Sequence, residues 1–144
     1  MNTNKKILLT GITGFVGMQT AIQLLEKGYQ VTGTLRDAKK IPATQEVIAR
    51  HTSNIENLHF AEADLNDENI WKDLMRGMDY VQHIASPFPK TIPKNEDDLI
   101  LPARKGTLSI VSAAAQNNVK RIVSTNLKKN TRLNKRRVWN LIFA

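Results

Sequence analysis

Residues 7–17 read ILLTGITGFVG, an apolar run that passes into three glycines, Gly11, Gly14 and Gly17, just before a segment of helical period. A strand that turns at once into a helix needs positions free of a Cβ, both for the tight turn and so that backbone can approach backbone. The first N–H groups of the helix then point outward without intrahelical partners, at an end carrying about half a positive charge. Strand, glycine loop and helix in that order are the opening of a βαβ unit that can cradle a pyrophosphate, whereas the same glycines elsewhere would be an ordinary turn.

The rest of the chain has the same rhythm. Short apolar or β-branched runs recur at Lys6 to Thr10, Gln30 to Leu35, Leu58 to Ala61, Tyr80 to Ile84 and Arg121 to Ser124. Segments of helical period separate them, which predicts an α/β fold with about five parallel strands and helices on both faces. The spacing predicts a helix from Phe15 with Val16, Ile22 and Leu25 near one face, Lys27 at its end and Gly28 in the left-handed closing position. A second helix is expected over Thr44 to Arg50 and a third in NDENIWKDLMRG, where Asn66 or Asp67 caps and Gly77 closes. A fourth is expected from Leu101, with Pro102 in its first turn and Leu108, Val111 and Ala115 at core spacing.

A chain of 144 residues fits one domain. Its net charge of +8 would suggest a polyanionic partner, but all 13 acids and 15 of the 21 basic residues lie in residues 1–125, leaving that part nearly neutral. The excess sits in Lys128, Lys129, Arg132, Lys135, Arg136 and Arg137 of residues 126–144, a basic segment expected to be irregular. With no cysteine, disulfides and thiolate metal sites are excluded, and His51, His59 and His83 stand in no ligand-like spacing with carboxylates. Thr10, Gly11, Thr13 and Gly14 interrupt the apolar start that would imitate a signal peptide, and no run reaches the roughly 20 apolar residues of a membrane span. The expectation is a soluble cytoplasmic chain.

Selection between a ribose 2′-hydroxyl and a 2′-phosphate falls at the end of the second strand in folds of this kind, an acid serving the former and Arg the latter. Here the text is TLRDAKK: Arg36 follows the strand directly, with Lys39 and Lys40 behind it, and favours a 2′-phosphate. Asp37, 20 residues after Gly17, keeps the hydroxyl open, so NADP is expected and NAD stays possible. His83, alone between apolar neighbours, reads as a packed strand residue, and Trp71 as core.

Together TGITGFVG, GTLRD, ADL, HIASPF and PARKGTLSIVSAAAQNNVKRIVST resemble the N-terminal part of an extended short-chain dehydrogenase/reductase, most closely the dihydroflavonol-reductase-like, NAD-dependent epimerase/dehydratase type. The resemblance covers about residues 5–125 and implies a Rossmann-type NAD(P)-binding domain over residues 1–125. It implies that Gly11, Thr13, Gly14, Phe15, Val16 and Gly17 form the pyrophosphate loop. It assigns Arg36 to the 2′-phosphate with Lys40 as its helper, Asp64 and Leu65 to the adenine, and Ala85 and Ser86 to the stretch passing the nicotinamide ribose.

In that family hydride passes between the cofactor and a carbinol or carbonyl, with Tyr of a YxxxK pair as acid/base and a Ser or Thr polarising the substrate oxygen. Tyr29 and Tyr80 are the only tyrosines, and neither has Lys four residues on; after Ser124 and Thr125 come Asn126 and Leu127 where the family's serine is expected. The expectation is therefore a cofactor-binding part of an oxidoreductase, truncated or frame-shifted after about residue 125 and without catalysis of its own. The alternative is a dinucleotide-binding regulator whose basic arm contacts nucleic acid, which the absence of any nucleic-acid motif in residues 126–144 disfavours.

Overall fold

The fold is given by a computed structural model that describes residues 4–84 and 97–124, with the side chains of all of these except 97–104. The elements in chain order are β1 (Lys6–Thr10), α1 (Phe15–Glu26), β2 (Gln30–Leu35), α2 (Ile41–Ala49), β3 (Leu58–Glu62), α3 (Glu68–Leu74), β4 (Tyr80–His83), α4 (Asp97–Gln116) and β5 (Arg121–Ser124). Short 3-10 turns, Ala38–Lys40 and Ile55–Asn57, precede α2 and β3. The five strands form one sheet in the order β3-β2-β1-β4-β5, all neighbours parallel. Among the described residues no helix is long and apolar enough to cross a membrane.

The centre of the sheet explains its apolar text. In β1, Ile7, Leu8, Leu9 and Thr10 are all buried, because a strand covered on both faces alternates direction without alternating polarity. Leu9 joins Ile12, Ala21, Leu25, Val31, Leu35, Ile48 and Leu58 in the cluster under α1 and α2. Leu8 points the other way and meets Trp71, Met75, Val81, Ile110, Ala113 and Ala114 under α3 and α4. Each fully buried Leu or Ile contributes about 2 kcal/mol, so the doubly covered β1 is the chief anchor of the fold.

At the amino ends of the strands, Asp79 ties three of them together. Its carboxylate accepts from the Lys6 N–H at 2.9 Å and from Lys120 Nζ at 3.4 Å, and its carbonyl accepts from the Lys120 N–H at 2.9 Å. The Lys6 hydrogen bond, with Lys120 beside it, lowers the Asp79 pKa below its ordinary value.

Three expectations change. α2 begins at Ile41, three residues before Thr44, because Pro42 is well tolerated in a first turn. α4 begins at Asp97, which moves Pro102 from the first turn to the second. The phase of α4 is also different: Gly106, Ile110, Ala113 and Ala114 are buried, while Leu108, Val111 and Ala115 are exposed. This helix carries two apolar stripes, and the side with small residues is the one that approaches the sheet; a Cβ at Gly106 would stand 3.3 Å from Leu65 Cβ. The expected segment 126–144 lies outside the described residues.

Candidate functional site

A cleft of about 400 Å³ opens at the carboxyl ends of the strands. It lies beside the point where the chain, having built β2 and β3 on one side of β1, crosses to β4 and β5 on the other. Loops diverge there, and in open α/β sheets ligands bind at such switch points.

Its first wall is the glycine loop. Gly11 takes φ 76°, a left-handed value that a glycine adopts without strain. Gly17 lies in the first turn of α1 directly over this carbonyl: a Cβ built there would be 2.0 Å from Gly11 O and 2.8 Å from Gly11 C. The loop is braced by Ile12 N–H donating to Thr34 O at 3.2 Å and by Gly14 N–H donating to Gly11 O at 3.4 Å. Gly14 is the N-cap of α1, no side chain caps this end, and no acid stands in the first turn. The amino end of α1 therefore faces the cleft with its outward N–H groups and partial positive charge unopposed, a setting that suits an anion. Val16, expected on the buried face, is 53% exposed and Phe15 83%, because this first turn projects past the sheet and lines the cleft instead.

The second wall comes from β2. Thr34, Leu35 and Arg36 line the cleft; Asp37 and Lys40 do not. The Asp37 carboxylate accepts from the Lys39 N–H at 3.0 Å and so caps the 3-10 turn, while Lys40 is carried on that turn to the residue before α2. Of the two candidates that the sequence leaves side by side, the cation faces the cleft and the acid is engaged in a local turn.

Ala63, Asp64 and Leu65 form the third wall. Asp64 has a double position: it lines the cleft, and one carboxylate oxygen accepts from the Asn66 N–H at 2.9 Å, which closes the turn into α3. Asp67 then caps α3 by accepting from the Asn69 N–H at 3.1 Å. Among the described residues, Arg36 and Asp64 are the charged side chains of the lining.

The floor adds Ile84 and Trp71, residues whose sequence context predicted packing alone. Ile84 lines the cleft, and its N–H donates to Thr10 Oγ1 at 3.0 Å. His83 is buried, as expected of a strand residue, with Nδ1 2.8 Å from Thr10 Oγ1 and Nε2 3.4 Å from Thr107 Oγ1. Burial lowers its pKa to about 4, so it is neutral near pH 7. Trp71, expected only as core, is 1% exposed and also lines the cleft. Its place in the lining was not readable because it depends on how α3 packs against β1, β4 and α4, segments distant in sequence. Ala85 and Ser86 lie outside the described residues.

The two tyrosines are far from this chemistry. Tyr29 and Tyr80 pack edge to face, ring centroids 6.4 Å apart, at the amino ends of β2 and β4, the opposite edge of the sheet from the cleft.

A parallel sheet covered on both faces, with a glycine loop at its switch point, is a Rossmann-type domain. The chain belongs to the NAD dependent epimerase/dehydratase family, whose model matches residues 7–126. It is 36% identical over 126 residues to an uncharacterized oxidoreductase of Schizosaccharomyces pombe, covering 85% of this chain and 37% of that protein. To the dihydroflavonol 4-reductase of Zea mays it is 34% identical over 120 residues, covering 83% of this chain and 33% of the relative. Among solved structures it is similar to vestitone reductase from alfalfa, with 27% identity and TM-score 0.64, covering 83% of this chain and 35% of that one. It is also similar to Gre2 of Candida albicans in complex with NADPH, with 27% identity and TM-score 0.66, covering 83% of this chain and 36% of that one. The chain thus spans about a third of the length of the curated relatives it matches.

Proposed function

We propose that this chain is the NADP(H)-binding part of an oxidoreductase of the dihydroflavonol-reductase-like type, with NAD(H) as the weaker ligand. The observation that carries the reading is that one cleft brings together the uncapped amino end of α1, Arg36, and the Asp64–Leu65 pair. In this reading the outward N–H groups of Phe15 and Val16 meet the pyrophosphate, and the guanidinium of Arg36 holds a 2′-phosphate by charge-assisted hydrogen bonds. Leu65 and Asp64 flank the adenine, and Ile84 leads toward the nicotinamide end, where Ala85 and Ser86 would follow. NADPH in the complex of the Candida albicans relative supports the choice of cofactor.

The nicotinamide, when bound, supplies or accepts the hydride that moves to or from a carbonyl or CH–OH carbon. What this chain's residues do is bind and orient. The sequence has no YxxxK pair, and Tyr29 and Tyr80 lie at the other edge of the sheet. The reading therefore assigns cofactor binding to this chain and no turnover of its own.

The test is a fluorescence titration of the purified chain with NADPH and NADH, repeated for Arg36→Ala. NADPH should bind at least ~10-fold more tightly than NADH, and the substitution should remove most of that preference, as expected for a charge-assisted pair worth about 1.5–3 kcal/mol. Equal affinities in the parent chain, or an unchanged preference after Arg36→Ala, would overturn the 2′-phosphate assignment. Aldehyde- or ketone-dependent oxidation of NADPH above the buffer rate would overturn the claim that the chain does not turn over substrate.

A further inference from the structure

One polar atom of the core has no local explanation. Among the described residues, the indole Nε1 of Trp71 is the buried side-chain nitrogen or oxygen without a hydrogen-bond partner. Buried donors are nearly always paired, because taking an N–H out of water without a partner is costly. A core that needed only volume here would be served by Phe, which fills much of the same space without that cost.

The position of the ring shows where a partner can come from. Trp71 sits on α3, six residues after Leu65, and packs in one cluster with Ala63 and Leu65. The same three residues, with Asp64, line the cleft on the β3 side, away from the glycine loop where phosphate oxygens would gather. The wall that contains the unpaired donor is therefore a wall of the cleft, and its other neighbours are a small apolar residue, a leucine and a carboxylate.

We infer that the Trp71 Nε1–H is a ligand-directed donor, held for an acceptor nitrogen of the purine ring of the dinucleotide. This rests on the cofactor reading given above. The purine is the matching chemistry: a flat apolar body suits Ala63 and Leu65, and its ring nitrogens are acceptors that carry no charge into a mostly apolar wall. Nε1 is closed to water in the cleft as it stands, so the hydrogen bond forms when the seated ring displaces the wall slightly. Trp71 is then a binding residue for the adenine half of the cofactor as well as a core residue.

The experiment compares Trp71→Phe with the parent chain in calorimetric titrations against NADPH and 2′,5′-ADP, alongside thermal unfolding of each protein without ligand. Both ligands should weaken about 5- to 20-fold and to the same extent, while the unfolding midpoint changes little, because removal of an unpaired buried donor offsets the void that the smaller ring leaves. If Trp71→Phe fails to fold, the isosteric replacement of Trp71 by benzothienylalanine, in a chain carrying Trp139→Phe, removes the N–H and keeps the volume. Affinities within twofold of the parent would overturn the inference while leaving the cofactor reading intact. A loss for NADPH without one for 2′,5′-ADP would overturn the adenine assignment. Failure of the parent chain to bind either ligand would overturn the cofactor reading itself, and this inference with it.

Discussion

Replacing Gly17 by Ala tests the close approach on which the cleft is built. The new Cβ would stand 2.0 Å from Gly11 O, 2.8 Å from Gly11 C and 3.0 Å from Ile12 Cα, all backbone atoms. Non-bonded carbons prefer roughly 3.5–4.0 Å, so the loop and helix would have to separate by more than ~1 Å. Gly11 cannot withdraw alone, since its carbonyl accepts from Gly14 and the next residue donates to Thr34. Overpacking of this kind costs about 1–3 kcal/mol, and loosening one of those hydrogen bonds adds about 1. Against this, Ala in a helix regains up to ~1 kcal/mol over Gly. The net is about 1–3 kcal/mol, which for a chain of this size lowers the unfolding midpoint by roughly 3–10 °C.

Gly14 supplies the control. Its φ of −76° suits any L-residue, and a Cβ there meets Gly11 O at an ordinary 3.8 Å. Gly14→Ala should therefore stay within about 1 kcal/mol of the parent, on either side. Thermal unfolding followed by circular dichroism reads both variants. A Gly17→Ala midpoint within 2 °C of the parent, or an equal loss in Gly14→Ala, would refute the claim that the loop and α1 are in obligatory contact.

Two further outcomes follow from other parts of the molecule. Burial lowers the His83 pKa from 6.5 to about 4, so the unfolded chain takes up the proton first as the solution is acidified. Stability supplied by the neutral ring is complete above pH 6.5 and falls by about 2–4 kcal/mol between pH 6.5 and 4; urea denaturation should show this slope in the parent and lose it in His83→Gln, and equal slopes would refute it. A Cβ on Gly33 would lie 2.2 Å from Ile12 Cδ1, the far end of a side chain, so Gly33→Ala should cost about 1–3 kcal/mol and Ile12→Val should recover part of that loss. Strict additivity of the two substitutions would show that the clash is not the cause.

Much of the fold was legible because its signals are local. The strands lie where the β-branched runs placed them, to within one residue at the ends of β3 and β4. Gly28 and Gly77 close α1 and α3 with φ of 84° and 78°, the left-handed geometry that helix ends require. The glycine loop was equally readable, since its chemistry resides in the absence of side chains at three fixed positions.

The misjudged features depend on what lies across the fold. Leu108, Val111 and Ala115 have a helical period as good as that of Ile110, Ala113 and Ala114, and period alone cannot say which stripe meets the sheet. Arg36 and Asp37 are adjacent in the chain; only the capping of the 3-10 turn sends one toward the cleft and keeps the other local. Thr10 and His83 stand 73 residues apart, and their hydrogen bond exists because β1 and β4 are neighbours in the sheet.

The sequence by itself thus determined the elements, the alternation that makes the sheet parallel, and the glycine loop, because period, cap and backbone freedom act over a few residues. The tertiary structure alone decided the strand order, the face that α4 buries, and the cleft in which Arg36, Asp64 and Trp71 meet. Those outcomes are set by the packing of distant segments against β1, where the choice among equally amphipathic faces is made by shape and burial.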